Sequence, residues 1–420
     1  MEHIKSGVDF RFIKAEKFKT NMISVFLNIP LRRETVTQAA LLPAVMKRGT
    51  EKHRTMTDLT RYLCDLYSAS LRAGVRSKGD GEVIYFTADY IRDRFIGENL
   101  TQKIIDILKE FIFCPLTDEN GFLEEYLESE KINLKNAIEG LINDKREYTE
   151  FKCREAMFSG EGYGMYEAGF AEDLPGITSK SLYNFYQDVL KNAKIDVFVS
   201  GDFDDEALSL IKTELCDAFE PRNAEYIKTE IAYPTGKPAQ KIAEEIPVVQ
   251  SKLCIGLRCG IDPTSHEYYG LLLGGCVFGA SPFSKLFNNV REKLSLAYYA
   301  VSRTERFKSA MFISCGIETK NYQAAMDEIT VQFNKMRSGD ISDSELENSK
   351  LYLINGFNSM KDGLRTMEDY YLSQAIMDNP GVIDDLIERI GKTTKDEVVA
   401  AFNKLEFDTI YFLKGAGGDE

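Results

Sequence analysis

Apolar and polar positions along this chain form a pattern that occurs twice. Ile23-Ser-Val-Phe-Leu-Asn-Ile-Pro30 is an apolar run of strand length. A polar turn follows, then Ala39-Ala-Leu41-Leu42, an apolar helical stretch that stops at Gly49. The same order returns at an offset of 230 residues without a gap, in Leu253-Cys-Ile-Gly-Leu-Arg-Cys-Gly260, Tyr269-Gly-Leu271-Leu272 and Gly279. Ile195-Asp-Val-Phe-Val-Ser-Gly201 and Asp408-Thr-Ile-Tyr-Phe-Leu-Lys-Gly415 close the two halves alike, each a strand stopped by glycine. The pattern points to a duplication. The competing account is chance similarity between two strand–helix units.

Between these landmarks, residues 83–89 and 310–316 read as strands. Residues 100–113 and 321–336 follow them as amphipathic helices, with Ile104, Ile105, Ile107, Leu108 and Phe111 in the first and Ala325, Met326, Ile329, Val331 and Phe333 in the second. Residues 124–141 and 344–360 read as further helices. The order strand, helix, strand, helices, strand predicts an α+β class in each half, an antiparallel sheet covered by helices on one side. Residues 221–245 are charged and contain Pro221, Pro234 and Pro238, so they read as a linker. Two homologous domains, 1–220 and 246–420, are expected. The Gly-rich tail from 415 to 420 reads as disordered.

Composition narrows the function. A chain of 420 residues with 44% apolar content exceeds one ordinary core. A net charge of −14 argues against nucleic acid as a partner, because phosphate needs basic clusters. The eight cysteines contain no C-x-x-C pair and read as free thiols in a reducing compartment. No apolar run reaches 18 residues and residues 1–20 lack a signal-peptide core, so a cytoplasmic protein without a membrane span is expected. The histidines are His3, His53 and His266. His53 and His266 fall in polar turns and read as surface residues. Gly274-Gly275…Gly279 lacks Gly-Lys-Ser/Thr and follows a helix, so it is not a phosphate loop. No Ser or Cys lies in a nucleophile elbow.

Several longer runs carry a resemblance. They are Gly162-Tyr163-Gly164 with Ala168-Gly169 and Ile177-Thr178…Leu182…Phe185-Tyr186; Phe198-Val-Ser-Gly201-Asp202-Phe203; and Gly274-Gly-Cys-Val-Phe-Gly-Ala-Ser-Pro-Phe-Ser284-Lys-Leu286-Phe287, which runs into Val290-Arg291-Glu292-Lys293-Leu-Ser-Leu296-Ala297-Tyr298. Together they resemble the insulinase/pitrilysin zinc peptidases, the inverzincin, mitochondrial-processing-peptidase-like family, over nearly the whole chain. The match is to short two-domain members, which work as paired subunits round a peptide chamber. Anchoring the family's Gly-Thr on Gly49-Thr50 puts Ala40, Pro43 and Ala44 at the positions of His-x-x-Glu-His. The third zinc ligand falls on Asn136, with Glu130 and Glu139 within reach of a shifted register. Alanine and proline offer zinc no lone pair, so the resemblance implies a member without its own metal. It also implies that the glycine cluster lies near the chamber, where a peptide backbone can approach.

Arg291 and Tyr298 match the family's Arg/Tyr pair, which faces zinc across the chamber. Judged without the resemblance, Arg291 is a surface ion-pair residue beside Glu292 and Tyr298 packs in the core next to Tyr299. Leu294-Ser295 stands where the family has Arg-Gly, and serine resists the positive φ that glycine allows. The expected function is a non-zinc-binding subunit of a heterodimeric peptidase, with zinc on a homologous His-x-x-Glu-His partner and peptide as substrate. The alternative is an inactive structural or peptide-binding homologue. A homodimer is open for the chain alone.

Overall fold

The computed structural model describes residues 2–415; residues 416–420, in the tail read as disordered, lie outside them. The chain forms two compact units. The first holds Met1–Gly140, Met165–Lys228 and Leu364–Tyr370, and the second holds Leu141–Gly164, Thr229–Gly363 and Tyr371–Glu420.

In the first unit the strands are β1 (Glu2–Lys5), β2 (Val8–Lys14), β3 (Thr20–Pro30), β4 (Ser70–Lys78) and β5 (Gly81–Ile91). A two-residue hairpin, β6 (Thr117–Asp118) and β7 (Gly121–Phe122), and β8 (Lys194–Gly201) complete them. The six-stranded sheet runs β1-β2-β8-β3-β5-β4. Period-2 alternation sends Ile23, Val25, Leu27 and Ile29 of β3 into the core, and Ser24 and Phe26 to the other face. The core face is covered by α1 (Val36–Met46), α2 (Met56–Asp65), α3 (Leu100–Phe113), α4 (Glu124–Gly140) and, beyond α5 (Lys145–Met157), by α6 (Ser179–Asn192) and α7 (Asp205–Ile211). Leu41, Leu42, Ile104, Leu108, Phe111 and Leu182 are the helix side of that core.

In the second unit, β9 (Gln240–Ile246), β10 (Ser251–Arg258), β11 (Ala297–Glu305), β12 (Ala310–Ile317) and β13 (Glu406–Gly415) form a sheet in the order β11-β12-β10-β13-β9. Its helices are α8 (Glu267–Gly275), α9 (Tyr322–Ser338), α10 (Asp343–Met360), the later part of α11 (Leu364–Ile376), α12 (Ile383–Lys392) and α13 (Lys395–Asn403). Leu253, Ile255 and Leu257 meet Leu271, Ile329, Phe333 and Phe402 on one face. On the other face Cys254, Phe312, Tyr411 and Leu413 meet Cys153 and Met157 of α5 and the adjoining Phe158.

The α+β class is as expected, and the helices expected at 100–113 and 321–336 form at Leu100–Phe113 and Tyr322–Ser338. Three features differ from the sequence reading. Each sheet contains one parallel pair, β2 with β8 and β9 with β13, because long connections allow a crossover that hairpins cannot make. The second sheet is covered on both faces, since α5 keeps a narrow buried stripe of Thr149, Cys153 and Met157 on a helix rich in charged residues. The end of the segment read as a linker is β9, which gains a full ladder along β13. The eight cysteines are unpaired, six of them buried. Among the described residues no helix is long and apolar enough to cross a membrane.

Pro43 is the eighth of eleven residues in α1. It removes the amide that the Ala39 carbonyl would accept from, a cost of about 3 kcal/mol in a helix interior. Pro43→Ala is expected to raise stability by about 1–2 kcal/mol, because regained helix propensity is offset partly by a freer unfolded chain and lost ring packing. The urea-unfolding midpoint measures it. A lower midpoint would mean that the buried proline ring contributes more than its missing hydrogen bond costs.

Candidate functional site

Two places bear on chemistry, one in each unit. In the first, Ala40 and Ala44 lie one turn apart on a half-buried stripe of α1, and Pro43 is buried beside them. The stripe continues at Arg48, just past the helix. Its guanidinium reaches α4, with Nε 2.5 Å from Glu130 Oε1 and Nη2 2.6 Å from Ser129 Oγ, and it lies 5.8 Å from the Tyr126 ring centre. Asn136 is exposed on the same helix, and Glu139 is exposed and 3.7 Å from Lys135. Gly49 is needed by close approach, since a Cβ there would lie 2.7 Å from the Arg54 carbonyl oxygen. The Thr50 hydroxyl donates to the buried Glu110 carboxylate, and His53 Nδ1 lies 3.0 Å from the same oxygen. His53 is therefore no surface residue. It is half-buried, its ring 4.5 Å from that of Tyr62, because the Glu110 carboxylate needs partners. His266 is exposed, with Nδ1 3.0 Å from Arg389, and His3 is exposed, with Nδ1 2.8 Å from Asp9.

In the second unit, the register Ser251↔Ile317↔Ala297 brings together the start of β10, the end of β12 and the start of β11. An open hollow of about 410 Å³ lies there, lined by Gln250, Arg291, Glu292, Tyr298 and Glu318 among others. Tyr298 sits where the β11–β12 register slips, so it is the extra residue of a bulge on an edge strand. It is 76% exposed and does not pack in the core. Arg291 lies in a π-helical turn, Phe287–Lys293, with its guanidinium 4.7 Å from the Phe287 ring centre and 3.4 Å from Glu292 Oε1. Ser295 takes φ +50°, so the turn keeps the left-handed conformation without a glycine. Gln250, Glu318 and Asn321 were not singled out from the sequence; only strand pairing brings them to Arg291.

The glycine cluster is not an open loop. Gly274, Gly275 and Gly279 are buried in α8 and the π-helical turn after it, and their missing side chains let Phe402, Thr304 and Ser302 approach. Burial pushes the Cys216 and Cys315 thiols up to about 12, away from nucleophilic chemistry.

Comparison with known proteins gives this geometry a lineage. A family model described as the peptidase M16 inactive domain matches residues 176–353. A "probable inactive metalloprotease", YmfF of Bacillus subtilis, is 33% identical over 98% of this chain and 97% of its own. The chain belongs to the insulinase-like M16 peptidase family. A conserved protein from Enterococcus faecalis superposes with a TM-score of 0.92, 29% identity and coverage of 99% and 98% of the two chains. The peptidase M16 inactive domain from Pseudomonas fluorescens gives 0.82 at 15% identity, with 99% and 97% covered. This M16 chain lacks the zinc motif. The zinc that the family implies does not fit the side chains present. Ala40, Pro43 and Ala44 supply no donor, and the Glu130 carboxylate is held by Arg48. No group of three or more His, Cys, Asp or Glu side chains able to hold a metal occurs among the described residues.

Arg48→Met is expected to destabilise the chain by about 2 kcal/mol, since it leaves Glu130 largely buried without its cation. Adding Glu130→Gln should recover part of that loss, as coupled partners do. Equal, additive losses in urea unfolding would show that the pair does not tie α1 to α4.

Proposed function

We propose that this chain is the non-zinc-binding subunit of a heterodimeric M16-type peptidase. It lends Arg291 and Tyr298 to a zinc site on a homologous His-x-x-Glu-His partner, and the pair cleaves peptides. Ala40, Pro43, Ala44 and Asn136 are, in this reading, the remains of the chain's own zinc site. The partner supplies the metal and the general base. The Tyr298 hydroxyl donates to the oxygen that gains charge in the tetrahedral intermediate, while Arg291 orients the substrate and adds positive charge. Eight free thiols fit a reducing, cytoplasmic setting.

The observation that carries this reading is the exposure of Tyr298 beside Arg291 at the mouth of the hollow. A tyrosine kept for packing would bury its ring. A serine held at φ +50° costs about 1 kcal/mol and persists where the surrounding structure fixes it. The second reading, an inactive structural or peptide-binding homologue, is favoured by the Arg291–Glu292 contact, which leaves Arg291 less charge for a substrate. In the absence of a partner, a homodimer is the form to look for.

Turnover of mixed peptides separates the two. The isolated chain should cleave none, and a mixture with its His-x-x-Glu-His homologue should be active. Tyr298→Phe should then lower kcat by about 100-fold with co-elution of the pair unchanged. Unchanged turnover in that variant would favour the second reading.

A further inference from the structure

The face of the first sheet turned away from its helical core carries an acid that the proposed peptidase function does not use. Glu368, in the Leu364–Tyr370 part of the first unit, is 2% exposed. Its Oε2 accepts from Ser24 of β3 at 2.6 Å and its Oε1 from Ser200 of β8 at 2.7 Å. The Ser24 hydroxyl lies 2.9 Å from that of Thr87 on β5. Three cations on this face are bonded to other carboxylates. Arg76 and Lys78 of β4 each donate to Asp369 at 2.7 Å, Arg72 pairs with Asp89, and Arg11 of β2 lies 5.7 Å from the Phe198 ring centre. Glu368 thus meets hydroxyls, with no cation bonded directly to it in these contacts. A carboxyl in such a place is much cheaper to bury neutral than charged.

We propose that Leu364–Tyr370 is a proton-dependent strap, docked on the first sheet while Glu368 is protonated and loosened when that carboxyl ionises. Burial pushes the Glu368 carboxyl up to about 8. The Ser24 and Ser200 hydroxyls oppose the rise, Asp89 adds to it, and Arg76 opposes it. An undocked strap would return Glu368 to the ordinary range near 4.5. The sign follows from linkage. The docked form binds the proton more tightly, so docking is strongest below about pH 4.5, weakens as pH rises towards 8, and levels off above it.

Hydrogen exchange of the full chain, read by mass spectrometry from pH 5.5 to 8.5 and corrected for intrinsic rates, tests this. Protection of residues 364–370 should fall about ten-fold per pH unit up to about pH 8, relative to β3, and then flatten. Glu368→Gln, which mimics the neutral acid, should remove the pH dependence. Should that variant not fold, Ser200→Ala gives the second check, moving the plateau to higher pH because a donor to the carboxylate is lost. Strap protection that follows β3 across the whole range, or an unchanged slope in Glu368→Gln, would overturn the proposal.

Discussion

The ion pair between Arg48 and Glu130 joins α1 to α4, the two helices that the family resemblance assigns to zinc. A metal site would need lone pairs from both helices. Here α1 offers methyl groups and a proline ring, and a guanidinium extends from its end to take the carboxylate of α4. A proline sits deep in α1, in a helix that offers no metal ligand at Ala40, Pro43 or Ala44. The Gly49 turn still matters, since it lets the His53–Arg54 backbone pass close by, next to Thr50, whose hydroxyl donates to Glu110.

The second unit follows a different logic. Its hollow is made by three strand ends in register, with a bulge that exposes Tyr298 and a π-helical turn that presents Arg291. Each device has a local energetic cost, and the serine at φ +50° adds to it. Costs of this kind concentrate where geometry is under constraint. The two units therefore contrast: in one, α1 and α4 are joined by packing and an ion pair, and the other keeps polar side chains open to solvent.

Much of this was legible in the chain, for reasons that differ by element. Strong apolar periodicity gave α3 and α9, and unbroken apolar runs gave β3, β10 and β12, because burial on one or both faces dictates those patterns. Order and spacing singled out Arg291 and Tyr298, and the fold places both on one hollow. Other features were not legible in the chain. α5 is rich in charged residues and buries only Thr149, Cys153 and Met157, so periodicity does not announce that it covers a sheet. The parallel pairs and the arrival of Gln250 and Glu318 beside Arg291 depend on long-range register, which no local window contains. His53 looked like a surface turn residue because its partner, Glu110, is distant in the sequence, on α3. Arg48 was one turn beyond Ala44 on the same stripe, a signal present in the spacing but meaningful only once Glu130 is seen opposite it.

The measurement that bears most directly on this account is the metal content of the isolated chain, by elemental analysis after zinc loading and desalting, with a peptide-cleavage assay on the same sample. The account predicts far less than one zinc per chain and no chelator-sensitive cleavage. One tightly held equivalent with cleavage that a chelator abolishes would contradict it, and would mean that side chains elsewhere in the chain assemble a working metal site.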